Sequence, residues 1–151
     1  MCKWFYLSAL AFGAIAMAAG RGELNGTWQL DRNHSAAGEE KLKSETLAIQ
    51  QSEDAVHIDD AIVAADGKER KSNIQCNTVG KECQVKGEQI SMWYNGPMLV
   101  MMETRGTTVV KKRLKTSDDG QTLQLEVIHI VPQSESENFT FVKQPVTTAV
   151  K

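Results

Sequence analysis

Asp119-Gly120-Gln121-Thr122-Leu123-Gln124-Leu125-Glu126-Val127-Ile128-His129-Ile130-Val131-Pro132 decides the fold class of this 151-residue chain. A turn dipeptide opens the stretch and a proline closes it. Between them Leu123, Leu125, Val127 and Val131 alternate with their neighbours, and His129 lies on the same face. Period two marks a strand with one buried face, whereas a helix repeats every three to four residues. The pattern recurs in Val56-His57-Ile58-Asp59-Asp60-Ala61-Ile62, where Val56, Ile58 and Ile62 form the apolar set and Asp60 shares their face. It recurs again around Phe139 and Phe141.

Turn residues punctuate the chain: Ser52-Glu53-Asp54, Asp66-Gly67, Thr78-Val79-Gly80, Gly87, Asn95-Gly96-Pro97, Arg105-Gly106, Asp119-Gly120 and Pro132 to Glu137. Their spacing of about 8–13 residues is the rhythm of consecutive hairpins. The first strand starts at Gly26. Residues 36–43 read as loop, and no stretch has convincing helical periodicity. Parallel strands need crossovers of a dozen residues or more, and the links are too short for them. The expected fold is all-β: an antiparallel up-and-down barrel of about eight to ten strands, closed to hide its edges.

The first 20 residues are of a different kind. They hold 16 apolar residues and one charge, Lys3. A positive start, an apolar run of about 14 residues and the small residues Ala16-Met17-Ala18-Ala19-Gly20 form a secretory signal peptide, cut after Ala18 or Gly20. The run is short of the roughly 20 residues that span a bilayer. The expected organisation is a signal peptide over 1–20, a barrel over 21–143 and a flexible tail over 144–151, with the product exported to a periplasmic or extracellular space.

Removal of Cys2 with the signal leaves two cysteines, Cys76 and Cys83. In an oxidising compartment such a pair becomes a disulfide. A four-residue turn over Thr78 to Lys81 sets Cys76 opposite Cys83, at a separation a disulfide bridges. A redox pair favours C-x-x-C spacing, and a zinc site needs two further ligands that the isolated His34, His57 and His129 do not supply. No metal or cofactor is expected.

Beyond residue 20 there are 16 basic and 19 acidic side chains (17 − 1 = 16), a net charge of −3. A nucleic-acid partner would need a basic face. The sequence lacks a nucleophile elbow, an H-E-x-x-H helix, a P-loop and a dinucleotide fingerprint, so no enzyme is expected. In Lys111-Lys112-Arg113-Leu114-Lys115 the residues Lys111, Arg113 and Lys115 share one strand face, the pattern of solvated edge charges. Met92, Met98, Met101 and Met102 read as core filling.

Gly26-Thr27-Trp28-Gln29-Leu30-Asp31 resembles the G-x-W first strand of lipocalin-like and other calycin barrels, in which the tryptophan plugs one end. Together with the Asp66-Gly67-Lys68 and Asp119-Gly120-Gln121 turns and the closing Phe139 to Lys143 strand, the chain resembles small exported bacterial lipocalin-like proteins. The resemblance implies a barrel that holds a small ligand. A small, partly apolar ligand in the interior is the leading expectation. The expected lining is Val56, Ile58, Ile62, Leu123, Leu125 and Val127, with Asp60 and His129 as polar anchors. The alternative is a protein-interaction module, such as an inhibitor of an exported peptidase.

Overall fold

The computed structural model describes residues 20–35 and 42–147. The signal peptide expected over 1–20 therefore lies outside the described residues except at Gly20. So do residues 36–41 of the expected 36–43 loop and the end of the tail, whereas Leu42 and Lys43, expected as loop, already belong to a strand. The described chain forms ten strands: β1 Gly26–Leu30, β2 Leu42–Gln51, β3 Ala55–Ala64, β4 Glu69–Asn77, β5 Val79–Val85, β6 Glu88–Asn95, β7 Met98–Arg105, β8 Thr108–Thr116, β9 Thr122–Val131 and β10 Glu137–Lys143. No helix long and apolar enough to cross a membrane occurs among the described residues.

The strands make a single antiparallel sheet in the order β4-β3-β2-β1-β10-β9-β8-β7-β6-β5. Each hydrogen-bonded pair joins chain neighbours, apart from β1 with β10, which curls the sheet round: Trp28 lies opposite Lys143 and Leu30 opposite Phe141. This is the expected up-and-down barrel. Its one unzipped seam runs between β4 and β5, which follow each other in the chain but do not pair.

Alternation puts every second residue inside. Ile49 faces Ile58, Val56 faces Cys76, Met92 faces Met101, Leu114 faces Leu125 and Leu123 faces Phe141, all of them buried. Each fully buried Leu, Ile, Val, Met or Phe contributes roughly 1.5–3 kcal/mol. This is the core-filling role expected of Met92 and Met101, whereas Met98 and Met102 are only half-buried.

One barrel end is plugged by the residues that precede β1. Trp28 has no exposed surface, and its indole N–H donates to the Leu24 carbonyl at 2.9 Å. The Gln51 side chain accepts from the Leu24 N–H and donates to the Gly22 carbonyl and the Tyr94 hydroxyl. Gly22 runs so close to the β6–β7 turn that a Cβ there would sit 2.6 Å from the Pro97 carbonyl oxygen. Only glycine fits this approach without moving the backbone.

Cys76 and Cys83 are disulfide-bonded, with Cα atoms 5.9 Å apart. Their setting differs from the expected hairpin. Cys76 pairs in register with Val56 of β3 and Cys83 with Ile90 of β6, and residue 78 alone separates β4 from β5. Gly80 and Lys81 together stand opposite the single residue Met92 of β6, a bulge with one extra residue, and Gly80 takes a φ of 78°. A bulge sharpens twist and bends the strand, which turns β5 away from β4. The bond therefore ties the two seam strands together where no ladder does. Replacing both cysteines with Ala is expected to lower stability by about 2–3 kcal/mol. Urea unfolding by circular dichroism checks this, and an unchanged midpoint would mean the seam holds without its bond.

The basic run is also placed differently. β8 lies inside the sheet between β7 and β9, so its charges guard no edge. Lys111, Arg113 and Lys115 do point outward, and Arg113 pairs with Glu126 at 3.1 Å. Lys112 points the other way, into the barrel.

Candidate ligand site

The apolar alternation breaks at a similar height on five strands of the barrel, β2, β3 and β4 on one side and β7 and β8 on the other. Glu45 takes the inward position two residues before Leu47 on β2. Asp60 takes the one two after Ile58 on β3, and Ser72, its register partner on β4, the one two before Ile74. On the far side Glu103 follows Met101 and Lys112 precedes Leu114 at the same interval. These five side chains form a polar belt across the end of the barrel opposite Trp28.

Below the belt a small cavity of about 70 Å³ is walled by Leu47, Ile58, Ile74, Met101, Leu114 and Leu125, with Glu45, Asp60, Ser72 and Lys112 above them. Beyond it a larger space of about 410 Å³ is lined by Asp60, Ile62, Arg70, Ser72, Ile74, Val85, Glu88, Glu103, Arg105 and Lys112. Lys71, Asn73 and Lys86 border it as well, so the space opens to solvent beside the β4–β5 seam. The opening thus lies at the unpaired seam.

Two ion pairs neutralise part of the wall. Lys112 Nζ donates to Glu103 Oε1 at 2.9 Å, both groups largely buried. Nearer the mouth Arg105 pairs with Glu88. Glu45 and Asp60 have no such dedicated partner. Glu45 is only 8% exposed, and loss of hydration together with the neighbouring Asp60 charge pushes its carboxyl up to about 7. Burial raises Asp60 too, against the pull of Lys112. A proton on Glu45 lets the pair act as acid and carboxylate hydrogen-bonded to each other, since two ionised carboxylates so close repel. Asp60 Oδ1 is nonetheless buried without a hydrogen-bond donor among the described residues. A buried orphan acceptor costs about 1–3 kcal/mol.

The residues expected to line the interior divide into three groups. Asp60 and Ile62 border the larger space, and Ile58, Asp60 and Leu125 the smaller. Val56, Leu123 and Val127 are packed into the core cluster and border neither. His129 sits on β9 beside Glu137, Nε2 to Oε2 3.3 Å, and also lies off both spaces. The wall of the larger space is rich in charge. Glu45, Arg70, Glu88, Glu103, Arg105 and Lys112 stand outside the expected lining. Their signal was available: in Val110-x-Lys112-x-Leu114 and Glu45-x-Leu47-x-Ile49 a charge occupies the apolar register. Among the described residues no group of three or more His, Cys, Asp or Glu side chains is placed to hold a metal.

No protein-family model and no curated protein sequence matches the chain. Solved structures do match in shape. The wild-type fluorescent protein UnaG superposes with a TM-score of 0.61 at 12% identity, covering 80% of this chain and 97% of that one. Human cRBP IV gives 0.59 at 15% identity, covering 82% and 99%. The Schistosoma mansoni fatty acid binding protein, solved in complex with arachidonic acid, gives 0.56 at 11% identity, covering 85% and 98%. At such identities the likeness is one of fold, an antiparallel barrel, which in this chain is ten strands wound once around a core.

Proposed function

We propose that the chain is an exported, non-enzymatic barrel that binds a small amphiphilic ligand in the space between the belt and the β4–β5 seam. One observation carries this reading: a space of about 410 Å³ that opens to solvent and combines Ile62, Ile74 and Val85 with the partly buried carboxylate of Asp60 at its inner end. Ligand pockets span about 300–1,000 Å³, and this space lies near the small end of that range. The shared fold with a barrel that carries arachidonic acid supports an interior site. The charged belt favours a ligand with a polar end over a pure hydrocarbon. The signal-like residues 1–20 and the Cys76–Cys83 bond support export into an oxidising compartment.

Native mass spectrometry of protein purified from its source is expected to find a co-purifying small molecule. Ser72→Phe, which fills the space beside Asp60, should lose that molecule while keeping the barrel's circular dichroism. The reading falls if the natural protein carries nothing and the dye ANS fails to bind the folded barrel.

A further inference from the structure

We propose that the belt takes the positively charged ammonium group of its ligand, the nitrogen donating to the Glu45 and Asp60 carboxyls while a short apolar tail lies along Ile62, Ile74 and Val85. The inference rests on the carrier reading above and names the ligand class.

Charge arithmetic at the belt points this way. Glu45 from β2, Asp60 from β3 and Glu103 from β7 supply three negative charges. Lys112 from β8 is the cation that borders the inner space with Glu45 and Asp60. With Glu45 ionised, three against one leaves the belt negative, beside Leu47, Ile58 and Leu125. Arg105 and Glu88 cancel each other farther out. Arg70, Lys71 and Lys86 border the outer space, where all three are exposed to solvent and salt.

Position points the same way. The ammonium of Lys112 is held by Glu103, and Arg70 is exposed at the mouth, so neither closes over the acid pair. Glu45, more than nine-tenths buried, borders the inner space, and Asp60 Oδ1 is sealed from water with no donor. A neutral hydroxyl ligand would satisfy the acceptor and leave the charge. An anion would meet three carboxylates. An ammonium group supplies N–H donors and the missing positive charge together. In its absence the deficit is met by the proton that Glu45 holds up to about pH 7, so ligand nitrogen and proton compete for one place.

The test is an NMR titration of the full barrel with hexylammonium, hexanoate and hexanol. At pH 8 hexylammonium is expected to bind at least about tenfold more tightly than the other two, and to weaken about tenfold at pH 6 as Glu45 regains its proton. Asp60→Asn should lose most of the hexylammonium affinity, and Glu45→Gln should remove its pH dependence. Both variants delete a buried charge, so folding is expected to survive. Tighter binding of hexanoate, or equal binding of hexanol, overturns the ammonium assignment and leaves the carrier reading standing. If none of the three shifts resonances of Asp60, Ile62 or Ile74, both fall.

Discussion

Trp28→Ala is expected to destabilise the barrel by about 3–5 kcal/mol, the cost of removing a large aromatic from a packed core. Trp28 is the largest side chain with no exposed surface. It belongs to the plug, and its loss would act in two ways. The cavity would remove contacts with the core cluster, and the Leu24 carbonyl would lose the indole N–H that meets it at 2.9 Å. Trp28→Phe separates the two effects. It keeps most of the aromatic volume but leaves the carbonyl unpaired, which costs about 1–3 kcal/mol. The Lys143 ammonium, 5.3 Å from the ring centroid, would also lose its seat over the indole. That contributes only about 0.5–1 kcal/mol at a partly exposed site. Urea unfolding monitored by far-UV circular dichroism should rank wild type above Trp28→Phe, and Trp28→Phe above Trp28→Ala. If Trp28→Ala lost less than about 1 kcal/mol, the plug would be an ornament of the sequence rather than a support of the fold.

Trp28 was legible because it stands in a short motif, and the barrel was legible because its strands alternate. Both depend on residues near in sequence. The seam was not legible, because it depends on what fails to pair. Cys76 and Cys83 are seven positions apart, which reads equally well as a hairpin or as two edge strands joined by one residue. The bulge at Gly80 and Lys81 decides between them, and a glycine in Thr78-Val79-Gly80 looks like an ordinary turn until the register with β6 is known. The belt failed to register for a related reason. Glu45, Asp60, Glu103 and Lys112 each break an apolar alternation once, on four strands scattered over residues 42–116. One such break reads as a solvated position near a strand end. Only the barrel's closure brings the four to a common height, where they become a site. Asp60 stands out in the sequence because it interrupts Val56, Ile58 and Ile62 on a single face. Lys112 was hidden inside a basic run whose other members do face solvent.

Raising the pH from 5 to 8 is expected to weaken the folded state relative to a Glu45→Gln variant. In the folded barrel burial and the Asp60 charge hold the Glu45 proton up to about pH 7, whereas the unfolded chain releases it near the ordinary 4.5. Between those values the folded state binds more protons than the unfolded, so its stability falls as pH rises. The contribution is fully present below about 4.5 and is lost as pH passes through about 7. A gap of that size corresponds to about 3 kcal/mol. Asp60 shifts in the same direction, so its linkage adds to the slope. Glu45→Gln has no proton to lose and keeps an amide that can donate to Asp60. Subtracting its unfolding free energy from that of wild type cancels the other titrating groups that the two proteins share. That difference should fall by about 2–3 kcal/mol between pH 5 and pH 8, leaving the variant the more stable protein at pH 8. A flat difference would mean water reaches Glu45 freely and the belt carries no strained charge. A falling one would mean that near neutrality the barrel sits poised, with a buried negative charge that either a proton or a bound cation relieves.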